Sequence, residues 1–367
     1  MKTFKIKEIC HLEKGKQIDT TLLSDGNPYK YINGGIKESG YYTTYNTEGE
    51  AVLVSEGGAS CGYVNYINEK FWCGCHCYKL TKCKFLPKYI YYALKGNQEK
   101  LMALRTGAAM PNIKKTTFQD MELLLNENHT EQELVIKELD KIQIALEIKK
   151  TELIALDDLV KSRFIEMFGA PVENPKGWDK KPLSDECKII TGNTPSRKNA
   201  DYYGNFIEWI KSDNINTPNA WLTTASEFLS EEGLKVGRSV EKDCILMTCI
   251  AGSIGCIGNV SVTDRKVTFN QQINGIIPNK NNVWYLYVLF ELSKSYIQST
   301  VTMALKGILS KGQLSKIEFI FPPIELQNEF ADFVKLTDKS KFVCLFIPSI
   351  FYEISLRFRH PPLHIRG

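Results

Sequence analysis

The sequence predicts an α/β (α+β) protein made of two similar units joined by long coiled-coil helices, the second helix shortened. Three observations predict it. A strand-and-glycine-turn segment occurs twice, further matches surround both copies in the same order, and a long heptad pattern lies between them.

The repeated segment reads "LVSEGGASCGYV" from Leu53 to Val64 and "LMTCIAGSIGCI" from Leu246 to Ile257. Each is an apolar run that ends in a hydroxyl residue before small residues and a glycine. Ser55 to Gly62 and Thr248 to Gly255 have the same length, which places Ser60 on Ser253. Small residues let a strand turn tightly, and glycine takes backbone angles others avoid, so the device reads as structural. "IKEICHLEKG" (6–15) pairs with "LSDECKIITG" (183–192), and "YINGGI" (31–36) with "WIKSDNI" (209–215). "FWCGCHCYKL" (71–80) pairs with "VTFNQQINGII" (267–277), and "IKKTTFQDMELLL" (113–125) with "LSKGQLSKIEFIF" (309–321). The offset drifts only from 177 to 196 along the series, which marks two copies of one unit.

The segment between the copies opens with Thr130 and Glu133 spaced as a capping box. It closes at Gly169, followed by Pro171 and Pro175, which cannot continue a helix. Val135, Leu139, Ile142, Leu146, Leu153, Leu156, Val160 and Met167 fall on strict 4-3 spacing, interrupted by Lys149 and Arg163. This is a coiled-coil seam, and it requires a partner helix. At about 1.5 Å per residue the helix would run on the order of 58 Å and hold two units apart.

The partner is expected after the second unit, where Gln327 falls on Gln132 and Phe330 on Val135. The heptads then fail. Thr337 falls on Ile142, Lys341 on Leu146 and Pro348 on Leu153, and an interior proline costs a helix about 3 kcal/mol. Residues 342–367 are aromatic-rich and read as the product of a reading-frame change or gene rearrangement, the alternative being a divergent cap. Leu153 to Met167 are therefore expected to lack an intramolecular partner. The resulting division is 1–128, first unit; 129–169, central helix; 170–324, second unit; 325–341, start of a second helix; 342–367, aberrant tail.

Apolar residues at 43% and charged residues at 24% describe an ordinary globular protein of 367 residues. The N-terminal segment has no apolar core of a secretory signal, and "VCLFIPSIFY" is too short to span a bilayer, so a cytoplasmic, membrane-free protein is expected. Eleven scattered cysteines fit a reduced compartment. "CGCHC" (73–77) crowds Cys75, His76 and Cys77 together where zinc sites use spaced pairs, and reads as a cysteine-rich strand without metal. Between Thr130 and Phe168 nine acidic and six basic residues give −3, which leaves +7 for the remainder of a chain with net charge +4. Basic outer parts suit a polyanion, although scattered surface lysines would give the same sum.

This order of parts resembles the DNA-specificity subunit of type I restriction-modification systems, from Phe4 to about Lys341. The residues that carry the resemblance are "TGNTPSRKNADYYG" (191–204), "WIKSDNI" (209–215), "LMTCIAGSIGCIGNV" (246–260), "FNQQINGIIPN" (269–279), "LSKIEFIFPPIELQNEF" (314–330) and "LDDLVKSRFIEMFG" (156–169). The resemblance implies two target-recognition domains, each reading one half of a split double-stranded DNA target, with the helices setting the spacing. It implies two methyltransferase (modification) subunits and restriction/translocase subunits as partners. It also implies no chemistry and no cofactor on this chain, with S-adenosylmethionine and ATP/Mg on the partner subunits.

The residues agree with a non-enzymatic reading. The Pro-Pro pairs, "FPPI" (321–324) and "HPPL" (360–363), lack the Asn or Asp that precedes them in an amino-methyltransferase loop. There is no phosphate-binding G-x-x-x-x-G-K-[ST] loop and no G-x-G-x-x-G after a strand. Five histidines, two of them in the final eight residues, give poor support for a His-based triad. A fused methyltransferase-nuclease would need a catalytic domain this chain lacks. A non-catalytic scaffold binding other proteins is the remaining alternative.

Reading DNA requires amide and basic side chains at base edges, with lysines, hydroxyls or backbone N–H groups on phosphates. In the second unit the candidates are Thr194, Ser196, Arg197, Lys198 and Asn199, then Lys211, Ser212 and Asn214, then Lys306, Ser310 and Lys311. The corresponding places in the first unit hold Lys14, Lys16 and Gln17, then Asn33 and Lys37, then Lys114 and Lys115. The same hydroxyls and asparagines could instead serve local backbone bonds in solvated turns. Gln271 and Gln272 are expected in an apolar strand, one of them a structural amide, with Cys75 and His76 as counterparts.

Overall fold

The computed structural model describes residues 1–107, 110–217, 219–301 and 307–338. The chain forms two compact units; among the described residues, Met1–Ile148 belong to the first and the rest to the second.

The first unit begins with β1 (Lys2–Lys5), α1 (Ile6–Ile9), β2 (His11–Lys14), β3 (Tyr29–Ile32) and β4 (Tyr41–Tyr42). β5 (Ala51–Ser55), β6 (Val64–Ile67), β7 (Phe71–Cys73) and β8 (Cys77–Thr81) follow. α2 (Pro87–Gly96), α3 (Gln98–Ala103), α4 (Lys115–Gln119) and β9 (Glu122–Leu125) complete the series, and α5 (His129–Phe168) belongs to this unit up to Ile148 and to the second from Lys149. An antiparallel sheet runs in the order β2-β8-β5-β6, and a second in the order β4-β3-β7 with β3 and β7 parallel. β1 pairs with β9, where Leu123 and Leu125 turn inward and Leu124 outward, the period-2 alternation of a half-buried strand.

β5 is buried on both faces because its alternate residues serve two cores. Val52 and Val54 pack with Ile90 and Leu94 of α2, whereas Ala51 and Leu53 pack with Ile32, Phe71 and Cys73. α2 starts on Pro87, whose missing N–H costs nothing at a first helical position.

The second unit contains β10 (Lys180–Pro182), α6 (Leu183–Glu186), β11 (Cys187–Thr191), β12 (Tyr203–Gly204), β13 (Ile207–Ile210), α7 (Ser212–Ile215), β14 (Phe228–Leu229) and α8 (Glu231–Val236). Then come β15 (Ser239–Val240), β16 (Ile245–Thr248), β17 (Ile250–Ala251), β18 (Val260–Val262), β19 (Val267–Phe269) and β20 (Ile273–Pro278). α9 (Val283–Leu292), α10 (Lys294–Ser299), β21 (Gly307–Ile308), α11 (Lys311–Lys316) and β22 (Glu318–Ile320) follow, and residues 324–338 are helical. The sheet order β11-β20-β16-β18 repeats β2-β8-β5-β6 strand for strand. β13 and β19 are parallel like β3 and β7, and β10 pairs with β22 as β1 does with β9. β16 is likewise two-sided, with Ile245 and Met247 in one core and Leu246 in another.

The glycine device is aligned by its hydrogen bonds, which differ from the equal-length match in the sequence. Gly62 N donates to Ser55 O at 2.8 Å, and the equivalent bond is Gly258 N to Thr248 O at 2.9 Å, not one from Gly255. Both glycines have positive φ, +79° and +83°, which a residue with a β-carbon rarely adopts. Gly258 lies ten positions beyond Thr248 and Gly62 seven beyond Ser55, so the second copy carries a three-residue insertion. Ser60 therefore corresponds to Cys256, each carbonyl accepting from the N–H three residues on.

The residue that caps the central helix is Asn128, not the expected Thr130. Its Oδ1 accepts from Glu131 N at 3.2 Å. Gln132 then does different work. Its Oε1 accepts from Leu86 N at 3.1 Å and its Nε2 donates to Asn126 O at 2.9 Å. Gln327 makes the equivalent bonds in the second unit, from Asn282 N at 3.0 Å and to Pro322 O at 2.9 Å. Both amides are buried.

The seam positions Val135, Leu139, Ile142, Leu153, Leu156 and Met167 are half-buried and Val160 is buried, while Leu146 is 39% exposed. The expectation that the seam from Leu153 to Met167 has no partner in the chain is corrected at Val160 and Met167, which pack in the core that holds the C-terminal helix. Val160, Phe164 and Phe168 share one core with Phe330, Ala331 and Val334. Phe330 meets Phe164 edge-on at 5.4 Å between ring centroids, and Arg163 pairs with Glu329 at 3.1 Å. Phe164 and Phe168 lie off the 4-3 register and turn toward the second unit's own core, which is why the heptad pattern alone missed them. Residues 342–367, the tail read as aberrant, lie outside the described residues.

Candidate nucleic-acid interface

A continuous set of backbone bonds gathers four loops at one end of the first unit's sheet. Lys16 N donates to Cys73 O (2.9 Å), Gly74 N to Ile32 O (2.8 Å), Glu56 N to His76 O (2.9 Å) and Ile113 N to Glu56 O (2.9 Å). The loop after β2, the loop after β3, the β7–β8 turn and the start of α4 are thereby adjacent. The second unit repeats the set with Asn193 N to Phe269 O (3.0 Å), Asn270 N to Ile210 O (3.0 Å), Cys249 N to Gln272 O (2.8 Å) and Leu309 N to Cys249 O (2.9 Å). Glycine is required where the first loop crosses the turn. A β-carbon on Gly15 would lie 2.1 Å from Cys73 O, and one on Gly192 2.2 Å from Asn270 O.

In the first unit this end carries all the candidates. Gln17 Oε1 accepts from Tyr31 Oη (3.2 Å), Asn33 Nδ2 (3.4 Å) and Cys75 Sγ (3.1 Å). Asn33 Oδ1 accepts from His76 N at 3.3 Å. Lys14 is paired with Glu56 at 2.6 Å. Lys16, Lys37, Lys114 and Lys115 are exposed and have no ion-pair partner among the described residues. An exposed lysine of this kind is chemically able to meet a phosphate oxygen.

In the second unit Thr194 Oγ1 donates to Gln271 Oε1, and Ser196, Lys198 and Lys311 are exposed. Arg197 lies over the Tyr203 ring at 4.4 Å and pairs with Glu227 at 2.6 Å. Lys211 also pairs with Glu227. Lys211, then Arg197, hold the Glu227 carboxyl below its ordinary range. A phosphate reaching these two cations would compete with one internal carboxylate.

Four candidates are placed differently from the sequence expectation. Asn214 is buried, with its amide bonded to Thr224 O (3.0 Å) and Lys211 N (3.0 Å), so it cannot reach a base edge. Ser212 is half-buried as the first residue of α7. Asn199 Oδ1 accepts from Asp201 N at 3.1 Å and caps a short 3-10 turn. Ser310 caps α11 in a capping box with Gln313. Lys306 lies outside the described residues.

The sequence also misplaced Gln271 and Gln272. They form the turn between β19 and β20, at the position where Cys75 and His76 form the turn between β7 and β8. The cysteine cluster is therefore strand, turn and strand, with Cys73 and Cys77 buried and His76 exposed. Three consecutive amides in Asn270–Gln272 were the available signal, since asparagine is depleted in strands.

The class these features define is a protein built from two copies of one α/β unit, each with a polar loop cluster at one end of its sheet. The chain belongs to the family described as the type I restriction modification DNA specificity domain, whose model matches residues 1–157 and again 175–342. It is 33% identical over 190 residues to a protein named as a type I specificity subunit of Mycoplasma genitalium, covering 51% of this chain and 49% of that relative. A similarly named protein of Mycoplasma pneumoniae is 23% identical over 341 residues, 92% of this chain and 88% of the relative. The HindI specificity subunit of Haemophilus influenzae is 33% identical over 164 residues, 41% of this chain and 33% of that protein. The fold matches the crystal structure of a type I restriction-modification S subunit from M. genitalium with a TM-score of 0.62 at 21% identity, covering 96% of this chain and 93% of that one. Among the described residues no helix is long and apolar enough to cross a membrane.

Proposed function

We propose that this chain directs DNA-modifying subunits to a bipartite duplex target, each unit reading one half, and performs no chemistry itself. The observation that supports this best is the equivalence of the two loop ends. The backbone bonds are the same while the presented side chains differ, as expected of one scaffold adapted to two half-sites. Lysines and Arg197 at these ends supply phosphate contacts, and amides and hydroxyls the base contacts. On this reading two methyltransferase subunits bring S-adenosylmethionine, and restriction/translocase subunits bring ATP and Mg.

The test is methylation and binding with purified components. The chain alone is expected to transfer no methyl group, and to confer site-specific adenine methylation once methyltransferase subunits and S-adenosylmethionine are added. Gel shifts against random-sequence duplexes, with and without those subunits, separate DNA recognition from a protein-binding scaffold. Methyl transfer by the isolated chain, or a complex that binds every duplex alike, would overturn the proposal.

A further inference from the structure

We propose that the two short turns at the loop ends carry the base-reading side chains: Cys75 and His76 for one half-site, Gln271 and Gln272 for the other. This rests on the reading of the chain as a duplex-DNA specificity protein and narrows it to four residues.

Each turn sits at the centre of its bond network. Residue 76 and residue 272 each offer the carbonyl that receives the chain leaving the central strand, β5 or β16, while residues 74 and 270 bond back to the parallel strand, β3 or β13. The backbone of the turn is therefore held from both sides and is the same in the two units. Its side chains are not. His76 and Gln271 are exposed, and Cys75 and Gln272 half-exposed. A rigid frame with interchangeable, outward side chains is what sequence discrimination needs, because contacts to base edges lose selectivity when the group can move away.

The neighbouring residues act on the turn instead of standing in for it. Gln17 Oε1 accepts from the Cys75 thiol at 3.1 Å, and at the equivalent place the Thr194 hydroxyl donates to Gln271 Oε1. Asn270 brackets Gln272, its Nδ2 donating to Gln272 Oε1 (3.3 Å) and its Oδ1 accepting from Gln272 N (3.0 Å). These contacts orient each glutamine through its carbonyl oxygen, which has a second lone pair, and leave the Nε2 donor directed to no hydrogen-bond partner among the described residues. A glutamine so presented matches the N6 donor and N7 acceptor of adenine in the major groove. The second unit's half-site is thus expected to contain an A·T pair read by one of these amides. His76, with one donor and one acceptor nitrogen when neutral, sets a different preference in the first unit.

The experiment selects from a randomised duplex library with the full-length chain and, in parallel, with Gln271→Ala/Gln272→Ala, Gln272→Glu and Cys75→Ala/His76→Ala. The double glutamine variant is expected to lose roughly tenfold of its base preference at one or more positions of one half-site, with the other half-site intact. Gln272→Glu should move preference from adenine toward cytosine, whose N4 amine donates to a carboxylate. The Cys75/His76 variant should change only the opposite half-site. The untouched half-site in each variant reports that the protein still folds and binds. Wild-type selection with all three variants reading the same sequences would overturn the assignment while leaving the specificity function standing. Failure of the wild-type chain to enrich any sequence, alone and with the methyltransferase subunits, would overturn both. Variants that lose both half-sites together at an unchanged melting temperature would show that the turns are only scaffold.

Discussion

Gly15 lies so close to Cys73 that a β-carbon at position 15 would sit 2.1 Å from the Cys73 carbonyl oxygen. The contact is with backbone, and Lys16 N bonds the same oxygen at 2.9 Å, so neither side can yield cheaply. Gly15→Ala should force the β2 loop off the turn and cost about 1–3 kcal/mol, as overpacking of a tight site does. Gly192→Ala should do the same in the second unit. Thermal unfolding of the full chain measures both; an unchanged melting temperature would mean that the loop and turn separate freely.

The buried amide of Gln327 ties the N-terminus of α9 to the start of the C-terminal helix. Gln327→Leu keeps the volume but leaves Asn282 N and Pro322 O without their partner. Each unsatisfied buried group costs about 1–3 kcal/mol, so a loss of at least about 2 kcal/mol is expected. Urea unfolding gives the value, and Gln132→Leu is the matched variant in the first unit. A loss below about half a kcal/mol would show that water replaces the amide.

Glu208 pairs with Arg265 in the second unit, Arg265 Nη2 lying 3.0 Å from Glu208 Oε1, and accepts from Ala225 N at 2.8 Å. Burial works against its charge, but Arg265 and the Ala225 N–H outweigh that and hold the carboxyl below its ordinary value of 4.5. A lowered carboxyl contributes stability that is present above the unfolded value and lost as pH falls through the folded one. The stability difference between wild type and Glu208→Gln should therefore be full at pH 7 and shrink below about pH 4.5. A difference that is constant from pH 7 to pH 3 would assign the effect to packing alone.

Deleting Glu147 to Lys150 removes about one turn, or about 6 Å, from the central helix. If the helix sets the gap between half-sites, that gap should shorten while the half-site sequences stay as they were. Methylome sequencing of cells carrying the deletion reads both. An unchanged gap would mean that spacing is set elsewhere.

Much of this protein was determined by patterns that repeat along the chain. The duplication and the equivalence of Gln132 with Gln327 follow from matched segments in the same order, and the helix over His129–Phe168 with its half-buried seam from periodic burial, which is local and therefore written residue by residue. Tertiary structure alone decided the rest. Asn270–Gln272 carries a local turn signal in its three amides, but the direction of the turn is set by β19 running parallel to β13 and the next strand reversing onto β16. Asn214 is buried because α7 packs on β16, and Phe164 and Phe168 leave the coiled-coil register because the second unit's core draws them in. The glycine that closes the second turn is Gly258 because hydrogen bonds to Thr248, not spacing from it, set the register. Such outcomes depend on residues distant in sequence meeting in space. That information is absent from any short window, and so the scaffold and its exposed loop lysines were legible while the burial of Asn214 and the register of the second glycine turn were not.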